Sequence, residues 1–206
     1  MHGLHSRISR KGRKLMAQLF FIYGTMNSGK SIQLLSTAHS YKEQGKSVLL
    51  LTPSTDTRDG VGTISSRIGL SEEAMIIKPD TNLWELEGVN FFFNGYDAIL
   101  VDEAQFLSKD QITQLAEIVD QLNIPVMAYG LKNDFSNHLF PGSEQLVLLA
   151  DKLIEMKTTC KWCNKKATMN LRVVDGVPAY EGEQVEVGGN EDYLSVCRYH
   201  YNTPNI

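Results

Sequence analysis

Four short runs of nearly unbroken apolar residues punctuate the first two thirds of the chain: residues 19–24 (LFFIYG), 47–52 (SVLLLT), 98–103 (AILVDE) and 125–130 (PVMAYG). Runs of this length without polar alternation are what strands covered on both faces look like. Between the third and fourth runs, Ile112, Leu115, Val119 and Leu122 recur at helical spacing, and Ser108 with Gln111 forms a capping box at the entrance, which predicts a helix there. A second helix is predicted over residues 31–44, with Ile32, Leu35, Ala38 and Tyr41 on one side and Gly45 as its stop. Strand, helix and strand thus alternate. That order predicts an α/β fold whose parallel strands are joined by crossover helices, with ligands at the carboxyl ends of the strands.

After about Thr158 the pattern changes to shorter, more polar pieces with several glycines and all three cysteines of the chain. The expected division is therefore a basic leader over residues 1–15 lying outside the fold, an α/β domain over 16–157, and a small cysteine-bearing lobe over 158–206. The leader holds Arg7, Arg10, Lys11, Arg13 and Lys14 and no acid, so the other basic residues of the chain's 20 face all 24 acidic ones. An acidic body has few cations with which to displace counterions from a nucleic acid, so small substrates are expected and nucleic-acid partners are not. With 42% hydrophobic and 21% charged residues and no apolar run long enough for a membrane span, a cytoplasmic protein without a membrane partner is expected.

The stretch GTMNSGKS, comprising Gly24, Thr25, Met26, Asn27, Ser28, Gly29, Lys30 and Ser31, matches the phosphate-binding loop pattern, and it sits between a predicted strand and a predicted helix. In that setting successive backbone N–H groups and the helix N-terminus surround a polyphosphate. Lys30 would reach the β- and γ-phosphates and Ser31 would ligate magnesium. The third apolar run ends in Asp102 and Glu103; Asp102 could hold magnesium through water, and Glu103 is a candidate base or orienter for an attacking hydroxyl, or a cap on the strand end. Arg58, in the polar loop after the second strand, could contact phosphate or simply be solvated.

Cys160-x-x-Cys163 and Cys197-x-x-His200 use every cysteine of the chain. Three thiolates and one imidazole suit a closed, structural zinc site, and a redox Cys-x-x-Cys with an unrelated third cysteine is the rival reading. Two other function classes stay open on the residues alone: a nucleic-acid-remodelling ATPase, whose second motif is similar to Asp102-Glu103-Ala104-Gln105, and a non-catalytic nucleotide-binding module.

Taken in order, GTMNSGKS, the DEAQF segment at 102–106 and the two knuckles resemble the thymidine kinase family of bacterial, vertebrate-cytosolic and poxviral type, from Gln18 to roughly Tyr201. That resemblance implies a P-loop NTPase-like parallel sheet with a C-terminal zinc lobe, and transfer of the γ-phosphoryl group of ATP to the thymidine 5′-hydroxyl. It implies Glu103 as the base, Lys30 on the phosphates, Asp102 and Ser31 with Gln105 in the ATP–Mg2+ site, and Arg58 beside the transferred group. Met26, Phe106, Leu131, Phe135 and Phe140 match positions that shape the nucleoside pocket. Residues 187–197 look like the family's loop that closes over thymine with backbone groups, giving Val187, Gly188 and Gly189 substrate contacts and Tyr193 the anchoring role. The sequence departs from many relatives at Ala104, His200 and Asn170, the last standing where some have a threonine near the thymine methyl. Family members are commonly homotetramers with feedback inhibition by dTTP, and both are expected here.

Overall fold

A computed structural model describes residues 16–55, 62–85, 95–182, 184 and 193–205. All four apolar runs become strands: β1 (Leu19–Tyr23), β2 (Val48–Pro53), β6 (Ala98–Val101) and β7 (Val126–Gly130). They join β5 (Met75–Ile77) and β8 (Lys152–Glu155) in one sheet of order β5-β2-β6-β7-β1-β8, every pairing parallel. Between β2 and β5 the chain makes a small antiparallel hairpin of β3 (Thr63–Ser65) and β4 (Ser71–Glu73).

The continuous apolar character of these strands has a direct cause, since successive side chains point to opposite faces and both faces are buried. Phe21, Leu49, Leu51, Ile99, Val101, Val126 and Ala128 face one core, packed by Ile112, Leu115, Ile118 and Val119 of helix α2 (Lys109–Leu122) and by Leu146 of helix α3 (Pro141–Leu149). Ile22, Leu50, Ala98, Leu100 and Tyr129 face the other, packed by Leu34, Leu35 and Ala38 of helix α1 (Lys30–Glu43).

The capping box predicted for α2 is formed in both directions: the Gln111 N–H donates to Ser108 Oγ at 3.2 Å and the Ser108 N–H to Gln111 Oε1 at 3.0 Å. The amide of Gln111 also donates to the carbonyls of Lys78 and Thr81, so one buried side chain caps a helix and pins the loop after β5. Helix α1 starts one residue earlier than expected and turns its buried stripe toward Leu34, leaving Ile32 half-buried. Gly45, at φ 71°, takes the left-handed conformation of a helix stop.

Beyond β8 a second sheet forms, antiparallel and of order β10-β9-β11, from β9 (Met169–Val174), β10 (Val177–Ala179) and β11 (Tyr193–Val196), followed by the short helix α4 (Arg198–Asn202). Its core is small. Cys160, Met169, Leu171, Val196, Cys197 and Tyr201 make up the buried cluster, so two of its six members are sulfur ligands of the predicted metal site.

Candidate active site and metal centre

The loop from Gly24 to Gly29 joins the carboxyl end of β1 to the first turn of α1. Two left-handed residues shape it, Asn27 at φ 61° and Gly29 at φ 84°, and a side chain at Gly29 would be strained by that angle alone. Gly24 is needed for a different reason: a Cβ there would lie 2.8 Å from the Met156 carbonyl oxygen and collide with Ser28 Oγ. Lys30, buried at 7% exposure, folds back so that Nζ donates to the Thr25 carbonyl at 3.0 Å.

Across the loop, Ser31 Oγ donates to Asp102 Oδ2 at 2.9 Å. The other carboxylate oxygen, Asp102 Oδ1, is buried without a hydrogen-bond partner, as are Thr25 Oγ1 and Ser28 Oγ. Burial, then the neighbouring charge of Glu103, pushes the Asp102 carboxyl up to about 7, while Ser31 and Lys30 pull it down. A hydroxyl and a buried carboxylate with one orphan oxygen are a hard-cation donor set.

Strand β6 ends at Val101, which frees the next two residues from alternating. Glu103 adopts φ 46°, ψ 40°, a left-handed conformation costly for a residue with a Cβ, and its charge is near enough to act on the Asp102 carboxyl. Gln105, 1% exposed, donates through Nε2 to Glu103 Oε2 and accepts the Leu131 N–H on Oε1 at 3.0 Å. Gly130 makes room for this, since a Cβ there would sit 2.6 Å from Gln105 Oε1.

The aromatic residues singled out for a nucleoside pocket form two edge-to-face pairs, Phe106 with Phe140 at 5.6 Å and Phe135 with Tyr193 at 6.3 Å between centroids. Leu131 is held at both backbone groups, by Gln105 at its N–H and by Ser143 Oγ at its carbonyl. Arg58, Val187, Gly188 and Gly189 lie outside the described residues.

In the small lobe the ligand atoms of Cys160, Cys163, Cys197 and His200 all lie within 4.8 Å of one another. The Cys163 and Cys197 sulfurs are 3.8 Å apart, and His200 Nδ1 stands 3.3 Å from Cys160 Sγ and 3.5 Å from Cys197 Sγ. Tetrahedral zinc with Zn–S bonds of about 2.3 Å separates its sulfurs by about 3.8 Å. The donor set therefore fits zinc, and the cysteines are free thiols rather than a disulfide. Burial opposes ionisation of Cys160, yet the backbone groups of Trp162 and Cys197 and the ring of His200 together bring its thiol down to about 6.

Asn170, placed by the resemblance near the thymine methyl, and Ser195, inside the segment read as the thymine-covering loop, also reach the phosphate loop. The N–H of Met26 donates to Asn170 Oδ1 at 2.8 Å, and the carbonyl of Met26 accepts from Ser195 Oγ at 2.5 Å. Both come from the small lobe, and only the tertiary fold brings them near residue 26.

Comparison with known proteins agrees with this assembly. Residues 17–201 match the family model described as thymidine kinase. A thymidine kinase of Lactococcus lactis subsp. lactis (strain IL1403) is 57% identical over 191 residues, covering 93% of this chain and all of the relative. One of Lactiplantibacillus plantarum (strain ATCC BAA-793 / NCIMB 8826 / WCFS1) is 58% identical over 189 residues, covering 92% of this chain and 97% of the relative. Among solved structures, Pif1 helicase from Candida albicans matches 68% of this chain and 36% of its own at 18% identity and a TM-score of 0.42, too slight a likeness to carry an argument. With a family model spanning the phosphate loop, the paired carboxylates and the Cys3His cluster, and relatives matched over nearly their whole length, this chain belongs to the thymidine kinase family.

Proposed function

We propose a division of labour among the residues for the phosphorylation of thymidine, the reaction that family membership assigns to the chain. The observation that carries it is the Ser31–Asp102 hydrogen bond, which joins the phosphate loop to the end of β6 and leaves Asp102 Oδ1 buried and open to a further partner. The loop 24–29 and the N-terminus of α1 would cradle the ATP phosphates, with Lys30 leaving Thr25 to meet the β- and γ-phosphates. Ser31 and Asp102 would hold Mg2+, which supplies charge neutralisation at the transferred group when bound.

Glu103 acts as the base on the thymidine 5′-hydroxyl, its carboxylate aimed by Gln105. Gln105, matched to the ATP–Mg2+ site by sequence, is better read as this aiming residue, because both ends of its amide are already engaged. Met26, Phe106, Leu131, Phe135, Phe140 and Tyr193 shape the nucleoside pocket, joined by Val187, Gly188 and Gly189 of the covering loop, and Arg58 attends the transferred phosphoryl group. Zinc, held by Cys160, Cys163, Cys197 and His200, fixes the small lobe, which begins at about residue 158 after the nucleotide-binding domain.

No helix among the described residues is long and apolar enough to cross a membrane. A cytoplasmic enzyme of deoxynucleotide salvage, inhibited by dTTP, fits the resemblance. So does a homotetramer, for which exposed Leu153 and Ile154 on edge strand β8 offer a surface.

The test is ADP release with ATP and Mg2+ in the presence of thymidine, deoxyuridine, deoxycytidine or no nucleoside. Release that depends on thymidine is expected. Hydrolysis indifferent to the nucleoside would move the weight to an ATPase.

A further inference from the structure

We propose that Asn170 and Ser195 are positioning residues for nucleotide binding, acting on the phosphate loop through the two backbone groups of Met26. This rests on the reading of residues 24–31 as the site of the ATP phosphates.

Asn170 on β9 and Ser195 on β11 are directly opposed partners in the antiparallel ladder. One cross-strand pair therefore grips one residue from both sides: Asn170 Oδ1 takes the Met26 N–H and Ser195 Oγ gives its proton to the Met26 carbonyl. Neither partner is free to wander. Asn170 is 3% exposed and its other amide atom donates to the Asn133 carbonyl at 3.2 Å. The Ser195 carbonyl accepts the N–H of Lys161, inside the Cys160–Cys163 knuckle, and β11 runs straight into Cys197. The grip is thus continuous with the metal cluster.

Its effect on the loop follows from peptide planarity. The N–H of Met26 and the carbonyl of Thr25 belong to one rigid unit and point in opposite directions. Asn170 holds the N–H end of that unit, a hold that does not depend on the Lys30 ammonium, which meets the Thr25 carbonyl only until it turns to the phosphates. In the next unit, Ser195 holds the Met26 carbonyl, so the Asn27 N–H must point away from the small lobe. A phosphate loop binds through the directions of its N–H groups, and two consecutive peptide planes are set here from outside the loop.

The experiment is calorimetric titration of MgADP into the zinc-loaded enzyme and into Asn170→Ala, Ser195→Ala, Ser195→Thr and the double alanine variant, with zinc content and thermal midpoint measured for each. Each alanine variant is expected to weaken MgADP by about fivefold to tenfold. The double variant should lose less than the product of the two, because both act on one residue. Ser195→Thr, which keeps the hydroxyl, should bind close to the parent. Unchanged MgADP affinity in both alanine variants, in a parent that binds it, would overturn the positioning role while leaving the phosphate-loop reading intact. A parent that fails to bind MgADP would sink both. Should Asn170→Ala lose zinc, the contrast of Ser195→Ala with Ser195→Thr decides alone, and equal weakening by those two would refute the proposal.

Discussion

The two sheets of this molecule solve the problem of stability by different means. The parallel sheet buries apolar side chains on both faces, from Phe21 and Val101 against α2 to Leu50 and Leu100 against α1. Burial at roughly 25 cal/mol per Å2 supplies its driving force. Among the described residues the antiparallel sheet buries Met169, Leu171, Val196 and Tyr201 around two cysteines, with Trp162, Cys163, Val173 and Leu194 half-buried against them, a small core for three strands and a five-residue helix. What apolar area supplies in one region, a metal held by the Cys3His cluster would supply in the other. The difference teaches where each kind of damage will be felt.

The sharpest way to break the comparison is to remove a ligand. Cys160→Ser should strip the bound metal and with it folding energy on the order of 10 kcal/mol, collapsing the small lobe and bringing thymidine turnover below detection. The parallel sheet should still unfold cooperatively, and metal analysis with circular dichroism checks both halves. Glu103→Gln, by contrast, alters chemistry in the large region and not its framework: kcat should fall by about 10²- to 10⁴-fold in single-turnover assays, with the thermal midpoint little moved. Unchanged turnover would remove Glu103 from the role of base.

Smaller effects probe packing and capping within the large region. Gly142 lies where a Cβ would stand 2.6 Å from the Ala104 carbonyl oxygen and 2.7 Å from that of Leu107, and no flexible group is there to yield. Gly142→Ala should therefore cost about 1–3 kcal/mol in urea denaturation and displace the DEAQF turn that carries Glu103 and Gln105. Ser108→Ala removes one half of the α2 capping box and should cost about 1 kcal/mol with zinc content unchanged. A loss of zinc from Ser108→Ala would show that the two regions are not energetically separate.

The elements legible in the sequence were those with a local cause. β1, β2, β6 and β7 announce themselves as apolar runs because each is covered twice, and α2 does so through its stripe and its capping box. The metal ligands were legible by residue type and spacing. Elements with a distant cause were not. α3 begins at Pro141 and Gly142, a pair that reads as a turn; the glycine is there because the backbone of 104–107 passes close by. β5 is three residues long and β8 is an exposed edge, so neither has a buried pattern to read. On α1, Ile32 was placed on the buried stripe, but the helix docks on the sheet with Leu34, Leu35 and Ala38 inward, an orientation set by the tertiary fold. At the site, the phosphate loop, Asp102 and Glu103 stood out as motifs, whereas the left-handed turn at Glu103 and the engagement of Gln105 with Leu131 arise only in three dimensions. The resemblance singled out Asn170 and the segment holding Ser195 for the thymine side of the site, but their contact with Met26 was not legible, since it depends on the register of an antiparallel pair.

The grip on Met26 also has a history within each molecule. The partners of the Met26 N–H and carbonyl leave the ribosome 144 and 169 residues after it. Domains fold as they emerge, so β1 and α1 can settle on their neighbours while the loop between them still waits for its outside partners. A chain lacking β11 would then carry a nearly finished parallel sheet and a phosphate loop without its outside grip, and full affinity for nucleotide would arrive only with β11.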